Sequence, residues 1–534
     1  MIHDYVIISI AVLLSVMILV MIGQKLKVAY PIFLVIAGLL ISFVPGIPKI
    51  EIEPDLIFLI FLPPILFEAA WFTSWHDFHK WSKQIFSLAF GLVFLTSIVV
   101  AYLSSSIIPG LTLAMGFLLG GVNSPPDAVA ATSVLKNMKI PKKINTVLEG
   151  ESLINDASSL IVFKFALAAV VSGQFVFVDA IQDFFIMAIG GVAVGLALGY
   201  VFGKFLSFIP SSSNIDTVIT LIVPYVMYVL AEHFQFSGVL AVVAGGLLMS
   251  YNSHCYLSHT SRIQSVNVWS VVIFLMNTMI FILIGLELPV VVASMKEYTI
   301  SEGIWYSVII GGVIIFTRLA YTFGHVYIPW FLSKNKGAKK PDWKEPFIIS
   351  FAAMRGVVSL AAALSIPIYI SSGELFPQRN IILFVTFVII LITLVGQGLL
   401  LSPILKLLKI EDEGGDMPEE KQEAMVMKAL KEKALYRLST EFSEESKNNS
   451  LVQHLVYKLE NELKLIVDKS QCIGEAVDYS SAMQENKEVL RDLIKTQRDE
   501  LHRLKREKIY DDHVIRNIEM QLDFDEVKIT GLSH

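Results

Sequence analysis

The feature that most constrains this chain is a recurring one: long apolar runs, each cut off by charge or by Gly and Pro. About twenty apolar residues in a helix, at about 1.5 Å per residue, cross a hydrocarbon core of about 30 Å. Thirteen candidate spans can be laid out: 5–22, 28–44, 55–72, 84–108, 111–135, 145–171, 180–203, 215–232, 236–250, 267–288, 303–329, 345–371 and 380–408. Composition agrees, since 54% of the 534 residues are hydrophobic and 17% charged, more apolar than a soluble chain of this size needs. Charge is also split. Residues 1–410 hold 43 of the 90 Asp, Glu, Lys and Arg residues and residues 411–534 hold 47, with formal net charges of +3 and −9. The expectation is an all-α polytopic membrane domain over 1–410 and a helical soluble tail over 411–534. Tyr5 to Ile22 has no basic n-region and no small-residue cleavage site, so it reads as a first span and not as a signal peptide. Two cysteines, Cys255 and Cys472, offer no disulfide framework.

Loop charge sets the orientation. With the N-terminus outside, the inner loops carry fifteen basic residues: Lys25, Lys27, Lys80, Lys83, Lys136, Lys139, Lys142, Lys143, Lys204, Arg262, Lys334, Lys336, Lys339, Lys340 and Lys344. The outer loops carry three: Lys49, Lys296 and Arg379. That bias predicts a multi-pass protein of the cell membrane with its tail in the cytoplasm.

Thirteen spans divide as six, one and six, so two six-helix halves joined by one helix face the membrane in opposite senses, as inverted repeats must. The fifth span of each half carries a break. Gly120-Gly121-Val122-Asn123-Ser124-Pro125-Pro126-Asp127 interrupts the fifth span, because the prolines lack donors and disfavour helix at Ser124. Met354-Arg355-Gly356, and later Pro367, interrupt the twelfth. Broken helices at matching positions point to a transporter with its site where the repeats meet.

The sixth span holds Glu151-Ser152-Leu153-Ile154-Asn155-Asp156. Ser152 and Asp156 share one helical stripe, with Glu151 and Asn155 on the next. Asp156 lies roughly 17 Å along the span, near the midplane, where a carboxylate is costly and therefore a candidate functional group. Glu68, after Pro63-Pro64, falls at similar depth, as do Asp127 and Arg355. Asp127 starts a half-helix, whose positive end favours an anion. Arg355 needs an anion, and depth nominates Glu151, with Asn155 able to hydrogen-bond the same pair. Asp156 is then the carboxylate left to change partners. Carbonyls around Asn123 and Ser124, the Ser152 hydroxyl and Asp156 would make an all-oxygen site for a hard cation. Arg318 either pairs with a polar group that the sequence does not identify or snorkels inward, and Lys164 snorkels toward the outer face.

Taken together, Phe61-Leu62-Pro63-Pro64 with Phe67-Glu68-Ala69, Asn123-Ser124-Pro125-Pro126-Asp127, Gly150-Glu151-Ser152-Leu153-Ile154-Asn155-Asp156 and Arg355-Gly356 resemble the sodium/proton exchanger family, in its electroneutral, bacterial-type branch. The resemblance covers about residues 5–408. It implies a thirteen-span inverted-repeat fold, usually a homodimer, that works by an elevator-like motion. It implies a secondary transporter and not an enzyme, with no cofactor, that exchanges Na+ for H+. It implies that Asp156 binds cation and proton in alternation, that Glu151 and Arg355 form a structural ion pair bridged by Asn155, and that Ser152, Glu68 and Asp127 sit at or beside the ion. One departure is visible: Pro125 stands one position before Pro126-Asp127 without a side-chain hydroxyl, and Ser124 is the nearest one upstream. A K+/H+ or Li+ variant of the same fold stays open.

The tail opens on a flexible acidic linker, Glu411 to Asp416, followed by helical stretches. One of these carries the stripe Val489, Leu490, Leu493, Ile494, Leu501 and Leu504, and Asp511 and Asp512 cap a last one. No phosphate loop, metal cluster or nucleotide motif stands out, nothing points to nucleic acid, and the tail's ligand is not identifiable. Two other classes compete with transport. An intramembrane aspartyl protease would use Asp127 and Asp156 as a carboxylate pair. A receptor would use the tail as its output.

Overall fold

The computed structural model describes the chain except for residues 1–13, 16, 24, 26–29, 43–58, 136–139, 174–176, 209–211, 296–297, 333–340, 371–373, 409–418, 445–447, 473–478, 508–511 and 532–534. Most of the first span, the start of the third, nine of the loop lysines, the linker Glu411–Asp416 and the capping Asp511 fall outside the described residues. Among those described, helix is the dominant regular structure, joined only by two isolated bridges.

Helical residues within 14–25 come first. They are followed by α1 (Tyr30–Ser42), α2 (Leu62–Phe72), α3 (Trp75–Phe86), a π-helical segment at Ser87–Leu92, α4 (Val93–Ile107), α5 (Leu113–Asn123), α6 (Ala128–Leu135), α7 (Lys142–Ser172) and α8 (Phe177–Phe208). The second half runs α9 (Ser213–His233), α10 (Gly238–Tyr256), α11 (His259–Ser294), α12 (Ile300–Leu332), α13 (Lys344–Phe351), α14 (Val357–Leu364), α15 (Arg379–Leu391), a second π segment at Ile392–Gln397 and α16 (Gly398–Leu408). Seven of the resulting helices are long and apolar enough to cross a membrane, and shorter apolar helices cover Pro31–Ser42, Leu62–Phe72 and Leu113–Asn123.

Local chemistry explains the punctuation. Thr112, Ser237 and Ser258 cap α5, α10 and α11 by accepting from Met115 N, Leu240 N and Ser261 N. Gly173 ends α7 in the left-handed region, at φ 68°, where its N–H donates to Ala169 O. The breaks fall where the prolines and Met354-Arg355-Gly356 put them: α5 stops at Asn123 and α6 starts at Ala128, while α13 stops at Phe351 and α14 starts at Val357.

The spans sort into two bundles by which helices pack together. One holds α1, α2 and α8 to α11, and the other holds α3 to α7 and α12 to α16. Each half thus contributes its earlier spans to the first bundle and its last three to the second, as two inverted repeats require. Contacts within the first bundle are close and polar. A Cβ on Gly38 of α1 would meet Ile282 O at 2.5 Å, and one on Gly285 of α11 would meet Val35 O at 2.4 Å, so only glycine lets these backbones touch. A ladder joins α9 to α11: Ser213 donates to Thr260 at 3.0 Å, Ser261 to Asp216 at 2.7 Å and Trp269 Nε1 to Thr220 at 3.2 Å. Inside a bilayer such bonds tie helices where the hydrophobic effect cannot.

Residues Glu413–His534 form a separate compact unit. It comprises α17 (Glu419–Thr440), α18 (Ser450–Cys472), α19 (Tyr479–Glu507) and α20 (Asp512–Gly531). α17 packs on α18, with Lys431 Nζ 2.5 Å from Glu462, and α19 packs on α20, with Arg498 2.6 Å from Asp523.

Candidate cation and proton site

The two breaks cross and pair. Asp127 N–H donates to Met354 O at 2.6 Å, an isolated antiparallel bridge between the interrupted fifth and twelfth spans. Four half-helix ends meet there, two positive (α6 and α14) and two negative (α5 and α13). Asp127 serves both positive ends. Its Oδ1 accepts from Val129 N at 2.8 Å, in the first turn of α6. Its Oδ2 lies where a Cβ on Gly356, at the start of α14, would stand 1.8 Å away, so the carboxylate occupies the space that a side chain would need. Arg355 serves both negative ends: Nε donates to Asn123 O and Nη1 to Ala353 O, each at 3.1 Å. Each charge therefore opposes the dipoles of two half-helices.

This overturns one expectation. Arg355 is not the partner of Glu151. That partner is Arg318 of α12, whose Nη1 and Nη2 donate to Glu151 Oε1 and Oε2 at 2.5 and 2.7 Å, with both side chains only 1% exposed. Arg318 also donates to Ile349 O, at the end of α13, from Nη2 at 3.1 Å. The physical reason is that an arginine needs acceptors and not necessarily an anion. The breaks free carbonyls that satisfy Arg355, whereas Arg318 lies in an unbroken helix whose carbonyls are spent.

Asn155 does not bridge that pair either. Its Nδ2 donates to Pro126 O at 3.0 Å, and Ser152 Oγ accepts from Ala128 N at 3.2 Å. These two bonds clamp the break of the fifth span onto α7. Asn123 and Ser124, expected around the cation, turn elsewhere. Asn123 Nδ2 donates to Leu119 O and Thr386 Oγ1, its carbonyl is taken by Arg355, and Ser124 Oγ donates to Gly121 O at 3.1 Å. Neither lines the cavity described next. Lys164 does not simply snorkel, because its Nζ reaches Glu232 of α9 at 2.8 Å, an ion pair between the two bundles.

A cavity of about 790 Å³ opens between the bundles. The first bundle contributes α2 and α11 to its wall, and the second contributes α6, α7 and α14. Glu68, Asp127, Ser152 and Asp156 all line it. From Asp156 the cavity runs toward Glu149 and the N-terminal end of α7, and Lys164 lies on the opposite side of Asp156. Asp156 is 8% exposed and, among the described residues, its carboxylate takes no hydrogen bond or cation. Four of the nominated residues therefore meet at one space. Sequence reasoning missed Ser359 and Asn277, which also line it, and missed the role of Arg318. An arginine in an otherwise apolar, unbroken span was the available signal for Arg318.

The family model described as "Sodium/hydrogen exchanger, transmembrane" matches residues 10–407. The sodium, potassium, lithium and rubidium/H(+) antiporter of Bacillus pumilus is 32% identical over 430 residues, which cover 79% of this chain and 64% of that protein. The antiporter of the same name from Bacillus subtilis is 33% identical over 384 residues, covering 70% and 57%. The chain thus spans less than two thirds of the length of these two relatives. The sodium proton antiporter MjNhaP1 of Methanocaldococcus jannaschii at pH 8 shares the fold, with a TM-score of 0.59 at 21% identity, over 74% of this chain and 97% of that one. A match across about three quarters of the chain, together with the crossed breaks and the buried Asp156, places this protein in the sodium/hydrogen exchanger family.

Proposed function

We propose that this protein exchanges a monovalent cation, sodium first, for protons across the cell membrane, one for one, in pH and sodium homeostasis. The observation that carries the reading is Asp156, a buried carboxylate with no cationic partner among the described residues, at the head of a cavity between two bundles. Glu151 is held by Arg318, and Asp127 is held by Val129 N of α6 and lies against Gly356 at the start of α14, so Asp156 is the carboxylate able to trade a proton for a cation. Ser152, Asp127 and Glu68 complete the surroundings of the ion. Asn155 and Arg355 hold the crossing in shape.

The bias of the basic loops supports a cavity mouth on the cytoplasmic side, with the N-terminus outside and the tail inside. Lys164–Glu232 then closes the outer side, and sliding one bundle past the other would expose Asp156 outward. A homodimer and a regulatory tail fit the reading. The names of the two Bacillus relatives support a broad monovalent range, so potassium is the second substrate to test. The experiment is proton flux in proteoliposomes driven by sodium, lithium and potassium in turn. Wild-type protein should respond to at least one cation and Asp156→Asn to none, while staying folded. Undiminished flux in that variant refutes the assignment. A protease would give no flux at all.

A further inference from the structure

We propose that Ser359 is a cation ligand, through which the second half of the chain reaches the ion held by Asp156 and Asp127. The proposal rests on the exchange reading above. Ser359 lies in the first turn of α14, lines the cavity and is 2% exposed. Its Oγ is buried with no hydrogen-bond partner among the described residues.

That is unusual for a serine in this protein. Ser97, Ser158, Ser159, Ser307 and Ser350 are equally buried, and each donates to a carbonyl three or four residues back in its own helix. Ser359 cannot do so, because three and four residues back lie Gly356 and Arg355, in the break, where the backbone is not helical. The interruption that frees carbonyls for Arg355 also frees this hydroxyl. Helical side chains lean toward the N-terminus and lie over the residue three positions earlier. For Ser359 that residue is Gly356, whose missing side chain leaves room for the Asp127 carboxylate.

Ser359 thus lies on the turn that meets Asp127 and lines the cavity that Asp156 heads, with its hydroxyl buried just behind that wall. The hydroxyl is a neutral oxygen with free lone pairs, which suits a hard cation. It also suits its place at a positive helix end, where Asp127 already supplies the opposing charge. An added oxygen from α14 raises the ligand number, and ligand number with cavity size is what separates one hard cation from another.

The test reads binding directly, in the full-length protein in detergent. Sodium would be titrated at constant ionic strength against N-methylglucamine, with the thermal midpoint as signal, and the titration repeated with lithium and potassium. Ser359→Ala and Ser359→Cys should raise the apparent Kd for the best-bound cation roughly five- to tenfold, with the cation-free midpoint little changed. Cysteine keeps the size but is a poor ligand for a hard cation. Ser359→Thr keeps the hydroxyl and should bind as wild type. Thr278 is a control, since its hydroxyl is also buried without a partner among the described residues but does not line the cavity, so Thr278→Val should leave Kd unchanged. If Ser359→Ala and Ser359→Cys both bind as wild type, the ligand assignment is wrong while the exchange reading stands. If wild-type protein responds to none of the three cations, both fall.

Discussion

The pairing of Glu151 with Arg318 can be tested quantitatively. The two side chains are 1% exposed and joined by two charge-assisted bonds at 2.5 and 2.7 Å. Removing one partner strands a charge where water cannot reach it, which costs about 3–5 kcal/mol. Arg318→Gln strands the carboxylate and also weakens the hold on Ile349 O. Glu151→Gln leaves the guanidinium with Ile349 O and a single amide oxygen. In the double variant no charge remains to be stranded and two amides can hydrogen-bond. Its cost should be near that of one single change, giving a coupling of about 3 kcal/mol or more. Glu151→Gln combined with Arg355→Gln should be closer to additive, because the Arg355 guanidinium is held by Asn123 O and Ala353 O. The measurement is thermal unfolding of the four proteins of each cycle in one detergent. The order of the two couplings decides. A larger coupling for Arg355 than for Arg318 would refute the argument that freed carbonyls satisfy Arg355.

Three further outcomes are expected. Gly356→Ala puts a Cβ 1.8 Å from Asp127 Oδ2, and Asp127 is held by Val129 N at its carboxylate and by Met354 O at its own N–H, so flux should fall roughly tenfold or more; flux near wild type would mean that Asp127 does not need that position. One titrating carboxylate should make exchange electroneutral: initial sodium-driven rates in proteoliposomes clamped with potassium and valinomycin, after potassium transport is excluded, should not vary with voltage, and a systematic dependence would implicate a second proton, with Glu68 the first suspect. Truncation after Ile410 should leave measurable exchange with altered rate or pH dependence, because the membrane domain holds every nominated ligand; a correctly inserted truncation with no flux would contradict this.

Much of this architecture is legible in one dimension. Hydrophobic length, loop charge and backbone-breaking residues are local properties, so the spans, the bias in orientation and both breaks follow from reading along the chain. Prolines at 125 and 126 end α5 at Asn123 whatever surrounds them. The depth of Asp156 follows from counting residues along α7, and its role is proposed because carboxylates are costly at that depth.

Pairing is a different kind of fact. Depth alone places Arg318 and Arg355 equally well opposite Glu151, but it carries no information about which face of a helix meets which neighbour. Only the packed structure decides that α12 brings Arg318 to Glu151, that the crossed breaks give Arg355 its carbonyls, and that Asn123 and Ser124 turn away from the cavity while Ser359 lines it. The reason is physical. A buried polar group takes whichever partner the packing delivers, and the breaks create acceptors that no neighbour can use until half-helices from the two halves of the membrane domain cross.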